Sequence, residues 1–345
     1  MEKAKRILVT GGAGFIGSNL CKTLVEGGAY VDCVDNLITG RIESIGPIRT
    51  NKCFRFFKLD INSYEFFKTF TEIPYHEIYH LACPTGVPNI KVYGEEMLKT
   101  CSIGTDNVLR IACVNNAKVL YTSSAEVYGE PEVFPQRENY FGNVDPVGPR
   151  SAYEEGKRFS EALVNFYVEK YHLNAIIVRI FNTFGLGMSL DDSRVIPSFL
   201  KNIKEGNKII IYGDGSQNRT HLYIDDLIAG LSLVMQKGRY GDVYNIGGEK
   251  QLTIAELFRL IESLTSLEVN VEYRPHFIED HSGRLPSTSK VKALGWRQYV
   301  DIAEGLRRML VSYGIPLKRE SSISDRLYDP GGISLATACP LCGEY

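Results

Sequence analysis

The sequence has no long apolar run and no large net charge. No stretch approaches the roughly 18 apolar residues of a membrane-spanning helix, and no apolar signal-peptide core follows the basic residues at the start. We therefore expect a cytoplasmic protein without a membrane partner. Because 39 basic residues nearly balance 41 acidic ones, for a net charge of -2, no overall positive field would attract nucleic acid.

Cysteines are too sparse for a disulfide scaffold, with 8 in 345 residues. Six are scattered among apolar neighbours, which is typical of buried, reduced thiols in a cytosolic protein. Cys339 and Cys342 instead form the C-x-x-C-G spacing of half a zinc knuckle. Tetrahedral zinc needs four ligands and no second close pair exists, so we predict no metal. A zinc site shared between two chains is the alternative.

Alternating strand and helix patterns indicate the fold. Apolar strands rich in β-branched residues alternate with amphipathic helices, which predicts a parallel sheet covered on both faces. The fold class is therefore α/β: a Rossmann-type, doubly wound parallel sheet with a smaller mixed α/β substrate-binding lobe. The main predicted strands are residues 6–10, 30–35, 54–59, 77–81, 118–123 and 174–180, and the main predicted helices are 15–26, 97–114 and 152–169.

The length fits about two domains. We assign residues 1–183 to the dinucleotide-binding domain, with returns of the chain to its sheet near 214–228 and 242–247. Residues 184–316 form most of the substrate-binding lobe. Residues 317–345 lose the pattern and are predicted to be a flexible tail.

A glycine-rich loop follows the first predicted strand. Gly11, Gly14 and Gly17 form a G-x-x-G-x-x-G pattern, where glycine allows a sharp turn and close approach of the backbone to a pyrophosphate. Asp35 ends the second strand, where a carboxylate binds the adenosine ribose hydroxyls and repels a 2′-phosphate. The loop therefore predicts NAD as cofactor, although Arg41 nearby leaves NADP as an alternative.

Tyr153 and Lys157 lie four residues apart on one face of a predicted helix. An ammonium beside a phenol stabilises the phenolate, so we expect the tyrosine pKa to be lowered and the phenol to act as a base. Ser124 follows the fifth strand, at the edge of the sheet where such folds bind ligands. Its hydroxyl can bind the substrate oxygen that the tyrosine deprotonates.

These motifs together resemble the extended short-chain dehydrogenase/reductase family, whose members remodel nucleotide-activated sugars. The resemblance covers about residues 5–315. It is greatest to those members that decarboxylate UDP-glucuronate to UDP-xylose. Four stretches carry this narrower match: residues 126–130 (EVYGE), 148–158 (GPRSAYEEGKR), 179–185 (RIFNTFG) and 212–219 (YGDGSQNR).

The resemblance implies a mechanism in which NAD is regenerated at each turnover. Tyr153 deprotonates the sugar 4-hydroxyl while its C4 hydride passes to NAD, the 4-keto sugar loses CO₂, and the hydride returns. The implied catalytic residues are Ser124, Glu126, Tyr153, Lys157 and Arg284. The implied cofactor-binding residues are Gly11, Gly14, Phe15, Ile16, Gly17, Asp35, Asn36, Asp60, Ile61, Leu81, Lys99, Tyr153 and Lys157. The implied substrate-binding residues are Pro84, Glu126, Arg150, Asn182, Arg194, Tyr212, Gln217, Arg219 and Arg284.

The same resemblance implies a homodimer paired through helices 97–114 and 152–169.

Several residues depart from the decarboxylase pattern. Cys101 stands where asparagine is common, and Leu186 and Gly187 replace a Pro-Arg pair. The reacting groups are therefore kept while the residues around the sugar differ, so another nucleotide sugar is possible as the substrate. Two further alternatives are a nucleotide-sugar 4-epimerase and a non-catalytic scaffold that binds NAD or nucleotide sugars.

Overall fold

The structure, a computed structural model, describes residues 4–275 and 283–318. Cys339 and Cys342 lie outside the described residues, as does the predicted tail apart from its first two residues.

The centre of the molecule is a seven-stranded sheet in which every neighbouring pair of strands is parallel. The strand order is β11-β6-β5-β4-β1-β2-β3. The predicted α/β fold is thereby confirmed. The strands are β1 (Arg6–Thr10), β2 (Tyr30–Asp35), β3 (Phe54–Lys58), β4 (Glu77–His80), β5 (Lys118–Ser124), β6 (Ala175–Ile180) and β11 (Val243–Ile246).

Alternating side chains of the strands build two apolar layers, one on each face of the sheet. Ile7 and Val9 of β1 enter one core, while Leu8 between them enters the other, as the two-residue repeat of a strand requires. Helices α1 (Phe15–Glu26) and α7 (Ile224–Lys237) pack on the first core. Helices α2, α4 and α5 cover the second: Tyr64–Thr71, Thr105–Asn115 and Ser151–Tyr171.

The single helix predicted over residues 97–114 is divided into three parts. Helix α3 (Val87–Lys99) leads into a π-helical turn (Thr100–Gly104), which continues into α4. Gly104 packs so tightly on Ile61 that an added Cβ would lie 2.6 Å from the Ile61 Cδ1. This packing depends on a distant segment, so local periodicity could not predict where the helix changes its winding.

The smaller part of the molecule combines short strand pairs with three longer helices and one short helix. Residues Ile209–Tyr212 (β8) pair with Val271–Arg274 (β13), and Asn218–Thr220 (β9) pair with Gln251–Thr253 (β12). Another pair joins β7 (Thr183–Phe184) to β10 (Leu222–Tyr223). The helices are α6 (Val195–Glu205), α8 (Ile254–Leu264), α9 (Ser289–Ala293) and α10 (Ile302–Ser312). Their apolar faces join the core that covers α1.

Gln136 tethers a late segment of the chain to the region that follows β5. Its backbone N–H donates to Leu285 O at 2.8 Å, and its carbonyl accepts from Ser287 N at 2.8 Å. Its side-chain oxygen accepts from Leu285 N at 2.7 Å. These three bonds hold the backbone at Leu285 and Ser287, directly after Arg284, and so fix the position of Arg284.

Among the described helices, none is both long and apolar enough to span a membrane.

Candidate active site

A cleft of about 660 Å³ opens at the carboxyl ends of the central strands. The glycine loop after β1, Asp35 after β2, and the segments after β4 and β5 all line it. This is the edge at which open parallel sheets bind ligands.

The glycine loop is packed too closely to accept side chains. Gly11 has a φ of +72°, and an added Cβ would lie 2.6 Å from the backbone nitrogen of Ala82. A Cβ on Gly17 would lie 2.1 Å from the carbonyl oxygen of Gly11. Gly14 precedes α1 and offers no side-chain cap, so the first N–H groups of the helix remain available to an anion.

Asp35 is held at the cleft by two backbone donors. Ala13 N donates to its Oδ2 at 3.0 Å and Leu37 N donates to its Oδ1 at 2.8 Å. Burial raises the pKa of Asp35, and these two hydrogen bonds act in the opposite direction. Arg41, which also lines the cleft, donates to Ser189 Oγ at 2.9 Å. The carboxylate that would favour NAD and the arginine that would favour NADP therefore both line the cleft.

Asp60 accepts hydrogen bonds from its own loop and from the loop after β2. Asn36 Nδ2 donates to its Oδ2 at 3.1 Å, and Asn62 N donates to its Oδ1 at 2.8 Å. The side-chain cap of α2 is Ser63, which accepts from Phe66 N at 3.1 Å. Asp60 therefore does not cap that helix through its carboxylate, and it lines the cleft beside Asn36.

Tyr153 and Lys157 face the cleft from the first turns of α5. Lys157 Nζ lies 6.0 Å from the centre of the Tyr153 ring and donates to Thr122 O at 2.9 Å. Burial raises the pKa of Tyr153, whereas the Lys157 ammonium and the hydroxyls of Thr85 and Ser124 act to lower it. The lowering that the spacing predicts is thus present, but in this structure burial outweighs it.

Lys157 is buried, with 3% of its surface exposed. Burial acts to lower its pKa, but the ionisable groups of Tyr121, Cys83, Tyr153 and Cys101 raise it above its usual value. The side chain therefore remains an ammonium. The buried His80 ring nearby has its pKa lowered to about 3 by burial and by this ammonium, and it stays neutral.

Glu126 lies between two arginines at the cleft. Arg150 binds it directly and also donates to Glu154 Oε1 at 3.0 Å. Arg284 Nη2 lies 3.4 Å from Glu126 Oε2, and the Arg284 side chain is 3% exposed. Ser124 Oγ accepts from the backbone N–H of Glu126 at 3.3 Å. The hydroxyl, the carboxylate and both guanidinium groups therefore form one connected cluster.

Comparison with known proteins decides the family. A model of the NAD dependent epimerase/dehydratase family matches residues 7–247. The chain belongs to this family of enzymes. Two curated relatives are UDP-glucuronic acid decarboxylase 1 of Danio rerio and UDP-glucuronic acid decarboxylase 6 of Arabidopsis thaliana. The first is 37% identical over 92% of this chain and 75% of its own length. The second is 37% identical over 91% of each.

Solved structures of family enzymes have the same fold. A UDP-glucose 4-epimerase from Thermotoga maritima, solved with UDP-glucose, superposes with a TM-score of 0.82 at 30% identity. It matches 90% of this chain and 98% of its own. A dTDP-glucose 4,6-dehydratase from Streptomyces venezuelae, solved with NAD, has a TM-score of 0.80 at 28% identity. The match covers 90% of this chain and 97% of the dehydratase chain.

The structure brings most of the residues predicted for the site to the cleft at the carboxyl ends of the central strands. The predicted residues that line it are Gly11, Gly14, Phe15, Ile16, Gly17, Asp35, Asn36, Asp60, Ile61, Leu81, Pro84, Ser124, Glu126, Arg150, Tyr153, Lys157, Asn182 and Arg194. Arg284 reaches the cleft through its contact with Glu126.

Four predicted residues do not line the cleft. Lys99 is half exposed and pairs with Glu95 on its own helix at 2.5 Å, so its ammonium is bound at the surface rather than at the cleft. Tyr212, Gln217 and Arg219 lie in the smaller part of the molecule. There Gln217 Nε2 donates to Tyr212 O at 2.8 Å, and Arg219 is 9% exposed.

Sequence reasoning missed three contributions to the site. Thr85, in the loop after β4, acts on Tyr153. Glu154 shares Arg150 with Glu126, and Gln136 positions the Arg284 segment. Glu154 could have been found, because it lies four residues after Arg150 on one helix. Within the described residues, no cluster of three or more histidine, cysteine or acidic side chains could hold a metal.

Proposed function

We propose that this protein decarboxylates UDP-glucuronate to UDP-xylose, using NAD that it regenerates in each turnover. The observation that carries the proposal is the contact of Arg284 with Glu126, which lines the cleft together with Ser124, Tyr153 and Lys157. Relatives named UDP-glucuronic acid decarboxylase, at 35–37% identity, support the same activity.

The residues of the cleft fit a dinucleotide. The close-packed glycine loop at Gly11 and Gly17, the open N-terminus of α1 and the carboxylate of Asp35 match a pyrophosphate and an adenosine ribose. When bound, NAD would supply the hydride acceptor and donor for the sugar C4. The Asp35 carboxylate lines the cleft and would repel a 2′-phosphate, which favours an unphosphorylated ribose.

Tyr153 would take the proton from the sugar 4-hydroxyl, and Lys157 would stabilise the resulting phenolate. Ser124 would bind the same oxygen and fix its orientation. The proton therefore moves between the sugar O4 and the Tyr153 oxygen in both directions of the redox cycle. Thr85 favours the phenolate from the opposite loop.

Arg284 and Glu126 would act on the decarboxylation step. Oxidation at C4 makes the sugar a β-keto acid, so breaking the C5–C6 bond releases CO₂ and leaves the electron pair on an enolate. The buried Nε of Arg284 has no hydrogen-bond partner among the described residues, and it can therefore bind an oxygen of the substrate. Its positive charge would stabilise the carboxylate and then the enolate.

The second candidate is a nucleotide-sugar 4-epimerase, which would use Ser124, Tyr153 and Lys157 without loss of CO₂. The likeness to the Thermotoga maritima UDP-glucose 4-epimerase supports it. A non-catalytic scaffold is the candidate from another class, and the arrangement of Tyr153 and Lys157 in the cleft argues against it.

We also propose a homodimer paired through α3, the π-helical turn and α5. Large apolar side chains on these elements are about half exposed: Leu98, Ile103, Phe159 and Phe166. Helices α3 and α5 pack side by side, so one partner could cover both.

The six described cysteines are free thiols, which supports the proposed cytoplasmic location.

Product analysis tests the proposed reaction. The full chain is incubated with UDP-glucuronate and NAD, and CO₂ and the nucleotide sugars are measured. Release of CO₂ with an equal amount of UDP-pentose supports decarboxylation, and a UDP-hexuronate epimer supports the 4-epimerase instead. Tyr153→Phe should lower the rate by about 10²–10⁴-fold, while Tyr64→Phe, at a position 76% exposed, should not change it. Equal rates for both variants would contradict catalysis by Tyr153.

A further inference from the structure

Two cysteines meet beside the proposed catalytic lysine. Cys83 Sγ and Cys101 Sγ lie 3.7 Å apart, although the residues are 18 positions apart in the sequence. Cys83 follows β4 and lines the cleft. Cys101 lies in the π-helical turn and is 2% exposed. The pair therefore joins the wall of the cleft to the helical layer behind it.

The position of Cys101 is fixed by α5. An added Cβ on Gly156 would lie 3.3 Å from Cys101 Sγ, so the absence of a side chain at Gly156 makes room for the thiol. Ser160 Oγ donates to the Cys101 carbonyl at 2.6 Å. Because Gly156 immediately precedes Lys157, the thiol lies against the same turn of helix as the ammonium.

The two thiols differ in their acidity. The hydrogen bond from Cys83 lowers the pKa of Cys101 below its usual value, in spite of burial, and the Lys157 ammonium lowers it further. The pKa of Cys83 is raised by the same hydrogen bond and by burial. The two sulfurs share a hydrogen bond that either of them can donate, and the Lys157 ammonium favours a thiolate within the pair, which provides one nucleophile and one resolving thiol.

We propose that Cys83 and Cys101 are an oxidation site for a hydroperoxide, at which the two thiols close to a disulfide. The thiolate of the pair attacks one peroxide oxygen, the O–O bond breaks, and a sulfenic acid forms together with hydroxide or, from an alkyl hydroperoxide, an alkoxide. The other thiol then attacks the sulfenic sulfur, the S–S bond forms, and the S–O bond breaks. The two sulfurs lose two electrons to the peroxide, and its two oxygens take up the two thiol protons and leave as one water and a second water or one alcohol.

The movement needed to close the bond is small. An S–S bond of about 2.05 Å requires the two sulfurs to approach each other by about 1.7 Å from their present 3.7 Å. Cys83 lies in a segment without helix or strand, and a change of its χ1 rotamer moves the sulfur on this scale. The disulfide would then tie the loop that carries Pro84 and Thr85 to the π-helical turn.

This closure has two effects on the site, and both rest on the proposed function. Thr85 acts on Tyr153 from that loop, so restraining the loop changes the surroundings of the base. The disulfide also removes the thiolate that faces the Lys157 ammonium. We expect turnover to fall on oxidation and to recover on reduction.

The chain contains a matched internal control. Cys21 and Cys33 also form a close pair, since an added Cβ on Gly12 would lie 3.2 Å from one sulfur and 2.4 Å from the other. Both are 0% exposed and neither lines the cleft. They share proximity with the first pair, but neither of them lines the cleft as Cys83 does, so a peroxide in the cleft does not reach them.

Peptide mapping tests the proposal without measuring activity. The full chain is treated with hydrogen peroxide, remaining thiols are alkylated, and the digest is analysed by mass spectrometry with and without reduction. We expect the Cys83–Cys101 cross-linked peptide to form about tenfold faster than a Cys21–Cys33 peptide. Cys83→Ser and Cys101→Ser should each abolish it, and Cys53→Ser should not. Absence of this peptide from the folded chain, or equal rates for the two pairs, would overturn the proposal.

Protection by NAD separates this inference from the proposed function. Excess NAD should slow formation of the Cys83–Cys101 peptide, because Cys83 lines the proposed cofactor cleft. If the peptide forms at the same rate with NAD, the cofactor assignment is contradicted while the oxidation site stands. If the peptide never forms but UDP-glucuronate is decarboxylated, only the oxidation site is refuted.

Discussion

Replacing Glu126 by glutamine should destabilise the folded protein measurably. Glu126 faces Arg284 at 3.4 Å and also binds Arg150, and its side chain is 21% exposed. At an effective dielectric constant of about 20, one charge pair at this distance interacts by about 5 kcal/mol before desolvation is subtracted. Glu126 is partly hydrated and Arg150 retains Glu154, so we expect a net loss of about 1–2 kcal/mol in the free energy of unfolding.

Urea denaturation followed by circular dichroism measures this loss. Glu155→Gln is the matched control, because Glu155 pairs with Arg158 at 3.7 Å with both side chains 38% exposed, and it should cost less than about 0.5 kcal/mol. Adding Arg284→Met to Glu126→Gln should recover part of the loss, since it removes the excess positive charge. Equal urea midpoints for Glu126→Gln and Glu155→Gln would refute this expectation. So would a double variant whose loss of stability equals the sum of the losses from Glu126→Gln and Arg284→Met alone.

Two further predictions concern the cofactor loop and the pH dependence of stability. Gly17→Ala should weaken NAD binding by about ten- to a hundredfold, because its Cβ would lie 2.1 Å from the Gly11 carbonyl oxygen. Calorimetric titration measures this, with Gly46→Ala, which meets nothing within 4 Å, as the control; equal affinities would contradict it. His80 has a folded pKa of about 3, so its contribution to stability is complete above about pH 6.5 and is lost as the pH falls. Below pH 6.5 the free energy of unfolding, measured by urea denaturation, should fall by up to about 1.4 kcal/mol per pH unit more for the unchanged protein than for His80→Asn. The same pH dependence in both proteins would exclude this contribution of His80.

The strands and the position of the cleft could be predicted because local patterns indicate them. Strands such as Arg6–Thr10 are continuous apolar runs, and the glycine loop lies between one of them and a helix. The proposed catalytic pair Tyr153 and Lys157 needs only helical spacing. In each case neighbours in sequence are also neighbours in space, so the sequence alone carries the information.

The features that could not be predicted depend on distant contacts. The contact between Arg284 and Glu126 joins residues 158 positions apart, and it depends on the Gln136 tether. The net pKa of Tyr153 depends on burial by several segments. The helix changes its winding at Thr100–Gly104, where Gly104 packs on Ile61, and no local pattern indicates that contact. Spacing along the chain carries no information on any of these.

The Gln136 tether has a consequence for the biosynthesis of the enzyme. Arg284 is synthesised long after the rest of the Glu126 cluster, and its segment docks on Gln136 only when residues up to Ser287 are available. Such sequence-distant pairing is slow, because a large loop of chain must close before the contact forms. A nascent chain could therefore form the glycine loop and the strands around it while still lacking Arg284, so the proposed cofactor site would be complete before the Glu126 cluster is.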